Sequence, residues 1–153
     1  GELAIVIGKR GQNIPKALAF DYIFGYTIGN DISARDVQYR HGQYFLGKSL
    51  DGTCPLGPYL VSKDEIPDPQ NLSIVTKVNG EIRQNSSTKH MMFPVADIIS
   101  IVSQYVTLEP GDIILTGTPE GVGKGMNPPQ YLKAGDEVKV SIEGIGTLAN
   151  RFA

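Results

Sequence analysis

The stretch LSIVTKVNGEIRQ, residues 72–84, decides the fold class of this chain. Two runs rich in β-branched residues flank Asn79-Gly80, a pair that favours a type I′ turn because both residues tolerate positive φ. The pattern therefore predicts a β-hairpin. The chain has 153 residues, of which 18 are glycine and 10 are proline, and this composition is typical of short strands joined by turns. We expect a mostly β (α+β) domain, a mixed β-sandwich roll with few short helices.

Further elements are predicted on both sides of the hairpin. Residues 22–28 are apolar or aromatic at nearly every position, which indicates a strand that is buried on both faces. Pro15 is expected to open a short helical turn, and Pro94 to open a longer amphipathic helix whose apolar face follows the i, i+3, i+4, i+7 pattern. The segment NDISARDVQYRHGQ, residues 30–43, shows no clean periodicity and predicts neither helix nor strand. The other predicted strands cover residues 2–7, 56–62, 113–117, 137–144 and 145–152.

Composition argues against several classes of partner. The formal net charge is −2 and the basic residues are scattered, which argues against a nucleic-acid-binding surface. No apolar run of about 18 residues predicts a membrane span. The single cysteine, Cys54, excludes an internal disulfide and a cysteine-based zinc site, and it favours a reducing compartment. We therefore expect a cytoplasmic protein with neither a nucleic-acid nor a membrane partner.

One stretch matches the sequence pattern of a nucleotide-binding motif but lacks the flanking sequence that such a motif needs. GQYFLGKS, residues 42–49, satisfies the P-loop pattern G-x-x-x-x-G-K-[ST]. A P-loop needs a buried strand before it and a helix directly after it, whereas polar RDVQYRH precedes this stretch and Gly52, Pro55 and Gly57 follow it. We reject the nucleotide hypothesis on this context. The glycine-rich stretch TGTPEGVGKG, residues 116–125, is either a loop that approaches an anionic group or an ordinary loop after a strand.

The strand patterns indicate two acidic residues, Glu2 and Asp31, as candidate ligands of a hard cation. Asp31 comes at the end of the doubly buried strand, on the face of Gly25, Thr27 and Gly29, where small residues would leave room for something other than side chains. Glu2 lies on the small-residue face of its own strand. Mg²⁺ prefers carboxylate oxygens, so two such residues are consistent with a metal site. An Asp31–Arg35 ion pair and a solvated Glu2 are the alternatives.

Five segments together resemble the C-terminal catalytic domain of the fumarylacetoacetate hydrolase superfamily. They are GELAIVIGK, DYIFGYTIGNDISARDVQ, GQYFLGKSLDGTCPLGPYLV, VNGEIRQ and EPGDIILTGTPEGVGKG, and they occur in that order. The resemblance extends over practically the whole chain. It implies the fold of that family's catalytic domain over residues 1–153, and we expect the N-terminal segment of that domain to be missing from this sequence.

The resemblance implies a divalent metal, Mg²⁺ or Mn²⁺, with Ca²⁺ as a possible substitute in a crystal. Asp31 matches the aspartate ligand, and Glu2 matches the second glutamate of an E-x-E pair. The first glutamate of that pair would immediately precede Gly1. Alternate residues of a strand point the same way, so this spacing makes physical sense for two ligands. The His–Glu pair that activates water in many family hydrolases would also lie in a preceding segment.

The resemblance also assigns roles to five further residues. Lys48 matches the active-site lysine, whose ammonium would stabilise enolate or oxyanion charge. Arg35 is expected either to orient Asp31 or to bind substrate. Gln38, Thr118 and Gly117 are expected to contact substrate. His41 and His90 match no base of the family and are predicted to be surface residues.

The implied function is that of a divalent-metal-dependent enzyme that cleaves or rearranges a 2-keto or β-diketo acid through a metal-stabilised enolate. C–C hydrolysis of an acylpyruvate or fumarylpyruvate, as in the catabolism of aromatic compounds, is the leading hypothesis. Oxaloacetate decarboxylase and 2-hydroxyhepta-2,4-diene-1,7-dioate isomerase are alternatives, and a non-catalytic remnant of the fold is an alternative of another class. The implied partners are a small-molecule keto acid and a second copy of the chain in a homodimer.

Overall fold

In a computed structural model, the chain folds into two antiparallel four-stranded sheets. The structure describes the backbone of residues 1–153 and every side chain except that of His41, so the surface prediction for His41 lies outside the described residues. The strands are β1 (Glu2–Ile7), β2 (Ile23–Gly29), β3 (Leu56–Ser62), β4 (Ser73–Val78), β5 (Glu81–Ser87), β6 (Ile113–Leu115), β7 (Glu137–Ile142) and β8 (Gly146–Arg151). The first sheet has the order β3-β2-β1-β6 and the second β5-β4-β7-β8. The mostly β prediction is confirmed.

The predicted hairpin forms because its turn residues accept positive φ. Asn79 and Gly80 have φ of 51° and 84°, and β4 pairs with β5 in antiparallel register. β7 pairs with the other edge of β4, so the hairpin becomes half of the second sheet. The Asn79-Gly80 pair and the β-branched runs beside it were therefore sufficient to predict this hairpin.

One apolar core joins the two sheets. Ile5 and Ile28 from the first sheet and Val140 from the second are fully buried in the same cluster. β1 lies between β2 and β6 and is buried along its whole length, including Glu2, which is 5% exposed. An inner strand of the first sheet therefore carries a carboxylate into a nearly solvent-free position.

Three α-helices are present: α1 (Arg35–His41), α2 (Tyr44–Lys48) and α3 (Val95–Tyr105). α3 matches the predicted amphipathic helix, with Pro94 at its N-cap and Val95 and Ile99 buried. A 3₁₀ helix, Lys16–Tyr22, follows Pro15 where a helical turn was predicted. None of the helices in the described part of the chain has the length and apolar character needed to cross a membrane.

The segment that sequence periodicity left unassigned, residues 30–43, contains α1, and α2 begins directly after it. The two helices have seven and five residues, which is too short for a periodic apolar pattern to be recognised. They pack tightly instead through Gly47, where a Cβ atom would lie 2.9 Å from both Ala34 O and Gln38 Cβ. Ala34 N donates to Gly47 O at 2.8 Å. This packing sets the position of Lys48, the next residue along the chain.

The expectation about small residues on β2 was wrong. A Cβ on Gly25 would lie 2.1 Å from Val61 O, and one on Gly29 would lie 2.4 Å from Leu115 Cδ2. The space that these glycines leave is therefore occupied by the neighbouring strand β3 and by a side chain of β6. Their role is to allow close strand packing, and the open space lies beyond the end of β2, next to Asp31.

Candidate active site

A cavity of about 1120 Å³ opens where the two sheets and the α1–α2 segment meet. Glu2, Asp31, Arg35, Lys48 and Thr118 all line it. They come from β1, the end of β2, α1, α2 and the loop after β6. The structure thus brings together five of the seven residues predicted for the site.

Glu2 is held by the loop that follows β6. Gly117 N donates to Glu2 Oε2 at 2.6 Å, and Thr116 N and Oγ1 donate to the carbonyl of Leu3 at 3.1 and 2.9 Å. Burial raises the pKa of Glu2; the Gly117 N–H lowers it in part, and the nearby carboxylate of Asp31 raises it again. The backbone N–H of Gly117, which was predicted to contact substrate, is therefore hydrogen-bonded to the carboxylate of Glu2.

Asp31 and Lys48 form an ion pair between the end of β2 and the last turn of α2. Their side chains are 19% and 36% exposed, so the pair is only partly screened by water. Within the described residues, Arg35 forms no ion pair with Asp31. The alternative that Arg35 pairs with Asp31 was wrong, because Lys48 takes that place.

Arg35 bonds to Gln38 within its own helix, one turn apart. Arg35 Nη1 donates to Gln38 Oε1 at 2.9 Å, and Gln38 is only 4% exposed. Arg35 lines the cavity, whereas Gln38 does not. In this structure its carboxamide orients Arg35, and direct contact between Gln38 and a substrate stays a prediction.

The loop after β6 joins the site to the second sheet. Thr118 Oγ1 donates to Gly1 O at 2.9 Å, and Gln84 Nε2 donates to Thr118 Oγ1 at 2.8 Å. Gln84 is 4% exposed and belongs to β5. Sequence reasoning missed Gln84, as it missed Thr76, its register partner on β4. A polar residue at an inward position of each strand of the predicted hairpin was the available signal.

The P-loop pattern does not form a nucleotide cradle. Residues 42–49 contain the five-residue helix α2, and helix α1 precedes them where a P-loop requires a strand. Lys48 is engaged with Asp31. These residues therefore lack the strand–loop–helix arrangement that a P-loop requires. His90, on a 3₁₀ turn, is exposed as predicted.

The chemistry of the donor set is compatible with a hard cation. Glu2 and Asp31 supply carboxylates to one cavity, and Asp31 raises the pKa of the Glu2 carboxyl, so a cation between them would relieve that repulsion. The described residues contain no group of three His, Cys, Asp or Glu side chains that could hold a metal ion. Two carboxylates would leave the remaining coordination positions to water, substrate oxygens or a further ligand.

Comparisons with known proteins agree on one family. The model of the fumarylacetoacetate (FAA) hydrolase C-terminal family matches residues 1–153. An uncharacterized protein of Staphylococcus haemolyticus is 60% identical over 153 residues, which are 100% of this chain and 51% of that protein. The chain therefore spans about half the length of the curated relatives that it matches.

Three solved structures place this similarity among enzymes. A fumarylacetoacetate hydrolase from Exiguobacterium antarcticum is 53% identical with a TM-score of 0.96, covering 99% of this chain and 54% of that one. A 2-hydroxyhepta-2,4-diene-1,7-dioate isomerase from Mycobacterium marinum is 45% identical, with a TM-score of 0.90 and coverage of 99% and 56%. A fumarylpyruvate hydrolase from Pseudomonas aeruginosa in complex with Mn²⁺ and pyruvate is 34% identical, with a TM-score of 0.89 and coverage of 99% and 64%.

Proposed function

Because this chain belongs to the fumarylacetoacetate hydrolase family, we propose that the protein carrying it is a divalent-metal-dependent enzyme acting on a 2-keto or β-diketo acid. C–C hydrolysis of an acylpyruvate or fumarylpyruvate is the reaction we favour. The observation that carries the proposal is the meeting of Glu2, Asp31 and Lys48 in one large cavity. The similarity to a hydrolase that binds Mn²⁺ and pyruvate supports it. We further propose that the protein acts as a homodimer.

Glu2 and Asp31 are the residues that would hold Mg²⁺ or Mn²⁺. Glu2 directs a nearly buried carboxylate to the cavity and uses one oxygen, Oε2, to accept the Gly117 N–H. A bound divalent ion would supply Lewis-acid stabilisation of an enolate derived from the keto acid. The arrangement also explains why the protein keeps a carboxylate in a position where burial raises its pKa.

Lys48 is the residue that we expect to carry a positive charge toward the reacting atoms. Its ammonium is held by Asp31 and packed in place by the α1–α2 contact at Gly47. A preorganised donor of this kind stabilises charge that develops in the transition state. Arg35, bonded to Gln38, also lines the cavity and offers a second cation for a substrate carboxylate.

The proposal is tested by turnover of acylpyruvate, fumarylpyruvate and oxaloacetate by the intact protein. We expect activity with Mn²⁺ or Mg²⁺ and its loss with a chelator. Asp31→Asn should lose activity by about 100-fold or more, whereas the exposed Asp64→Asn should not. Equal rates with metal and with chelator would refute metal dependence. Product analysis separates hydrolysis from decarboxylation and isomerisation.

A further inference from the structure

Gln84 uses its whole carboxamide to connect three points of the site. Its Oε1 accepts from Gly1 N at 2.8 Å, and its Nε2 donates to Thr118 Oγ1 and to Pro119 O, each at 2.8 Å. The orientation of the amide is unambiguous, because a proline carbonyl can only accept and the Gly1 nitrogen is here a donor. A nearly buried side chain of the second sheet therefore bonds to both the start of β1 and the loop after β6.

Two of the three partners of Gln84, Gly1 and Thr118, flank the carboxylate contact described above. Gly1 precedes Glu2, and Thr118 follows Gly117, whose N–H donates to Glu2 Oε2. Thr118 Oγ1 closes the remaining link, since it donates to Gly1 O while it accepts from Gln84. The side chain of Gln84 thus sits at one end of a hydrogen-bonded unit that sets the distance between β1 and the loop.

Packing leaves this unit little freedom to shift. Gly1 is so close to the second sheet that a Cβ atom there would lie 2.4 Å from Val140 Cγ1 and 2.6 Å from Thr76 Oγ1. Thr76 is the register partner of Gln84, and both line the cavity. The second sheet therefore forms a platform under the first residues of β1, and Gln84 is the platform residue whose hydrogen bonds reach the loop.

We propose that Gln84 is a positioning residue of the active site, which holds the loop of residues 116–119 against β1 so that a keto acid meets a preformed surface. This proposal rests on the proposed function for its ligand, but the geometry of Gln84 does not depend on that ligand. Partners that orient the groups of a site, when mutated, typically cost 10–100-fold in affinity or activity. We expect a loss in that range for keto-acid binding when the amide is removed.

The experiment compares Gln84→Leu with Asn85→Leu in the intact protein. Asn85 is the next residue of β5 and is exposed, so it provides a matched control on the opposite face. Two readouts are used: pyruvate binding by calorimetry in the presence of Mn²⁺, and amide hydrogen exchange of residues 116–118, the loop residues that carry a backbone N–H, without any ligand. We expect Gln84→Leu to weaken pyruvate binding by about ten-fold or more and to accelerate exchange in the loop, with Asn85→Leu unchanged.

A second variant protects the test against simple misfolding. Gln84→Glu keeps an acceptor for Gly1 N but loses both donors when the introduced carboxyl is ionised. When that carboxyl is protonated it can donate again to Thr118 or Pro119. We therefore expect pyruvate affinity of this variant, relative to wild type, to recover as the pH falls, which a merely structural defect would not produce.

The outcomes separate the two proposals. Unchanged loop exchange in Gln84→Leu would overturn the positioning role, whatever the ligand. If wild type binds no pyruvate with Mn²⁺ but loop exchange still rises only in Gln84→Leu, the proposed function fails and the positioning role stands. If wild type does bind pyruvate, an equal affinity in Gln84→Leu would also overturn the positioning role.

Discussion

Replacing Lys48 with methionine should separate activity from stability. The substitution keeps an unbranched side chain of similar length in the last turn of α2 but removes the ammonium that pairs with Asp31. The two side chains are 36% and 19% exposed, so water already weakens the pair, and we expect a stability loss of about 1 kcal/mol or less. Loss of a preorganised charge donor at the reacting atoms costs about 100- to 1000-fold in kcat. The defect in activity should therefore far exceed the defect in folding.

The assay pairs steady-state turnover of acylpyruvate at saturating Mn²⁺ with urea denaturation of the same preparations. Lys139→Met is the matched control, because Lys139 forms a 2.8 Å ion pair with Glu137 and lies outside the cavity lining. Its ion pair has side-chain exposures of 45% and 37%, so its loss should cost comparably little stability. The assignment of Lys48 is refuted if Lys48→Met keeps kcat within about three-fold of wild type, or if Lys139→Met loses as much.

Two substitutions test the packing around the site. Gly47→Ala places a Cβ 2.9 Å from Gln38 Cβ and should destabilise the fold by about 1–3 kcal/mol, which would be measured as a lower Tm. Gly125→Ala is the control and should leave the Tm unchanged, because the nearest atom to its added Cβ is 3.9 Å away. Equal Tm values for the two variants would contradict tight α1–α2 packing. Thr76→Val removes a buried hydroxyl without a hydrogen-bond partner among the described residues and should be neutral or stabilising in urea titration. Thr88→Val, whose hydroxyl accepts from a backbone N–H at 2.8 Å, should cost about 1–3 kcal/mol; a loss of the same size in both threonine variants would show that the Thr76 hydroxyl has a partner.

Sequence patterns predicted elements whose signal is local. The Asn79-Gly80 turn formed because both residues must take positive φ, and α3 formed because its apolar spacing is periodic from Pro94 onward. Asp31 was predicted from its place at the end of the doubly buried strand and was then matched by the resemblance, whereas Lys48 was found through the resemblance alone. Their direct ion pair was not predicted, since it depends on how α2 is placed against the end of β2.

Features that depend on tertiary packing escaped prediction. α1 and α2 are held by the contact at Gly47 and carry no periodic apolar face, so no helix was assigned to them. In the sequence, Gln84 is one of several polar residues of the hairpin and nothing distinguishes it from the others. Its role becomes visible only when the loop after β6 is placed next to it. Small residues on β2 were interpreted as room for a ligand, yet the structure fills that room with neighbouring strands. A sequence shows where space is left, but the tertiary arrangement decides what occupies it.

Glu2→Gln should stabilise the metal-free protein and impair the metal-bound one. Burial and Asp31 raise the pKa of Glu2 from its ordinary value of 4.5, so the folded state holds the proton more tightly than the unfolded state. Stability attributable to this group is therefore lost as the pH rises from about 4.5 through the folded-state pKa. Glutamine keeps an acceptor for Gly117 N and has no charge to desolvate. In chelator, the variant should gain on the order of 1 kcal/mol near neutral pH and nothing at acid pH.

Added Mn²⁺ should make wild type more stable than Glu2→Gln. A ligand at 100 times its Kd stabilises the folded state by about 2.7 kcal/mol, and this gain should appear in wild type and be reduced in Glu2→Gln if the carboxylate holds the ion. Melting curves in chelator and in Mn²⁺, across pH, measure both effects, with the exposed Glu120→Gln as control. A Glu2→Gln variant that gains as much from Mn²⁺ as wild type would show that the ion does not bind Glu2. Reversal by Mn²⁺ would instead mean that β1 retains a destabilising buried carboxylate because the metal requires it.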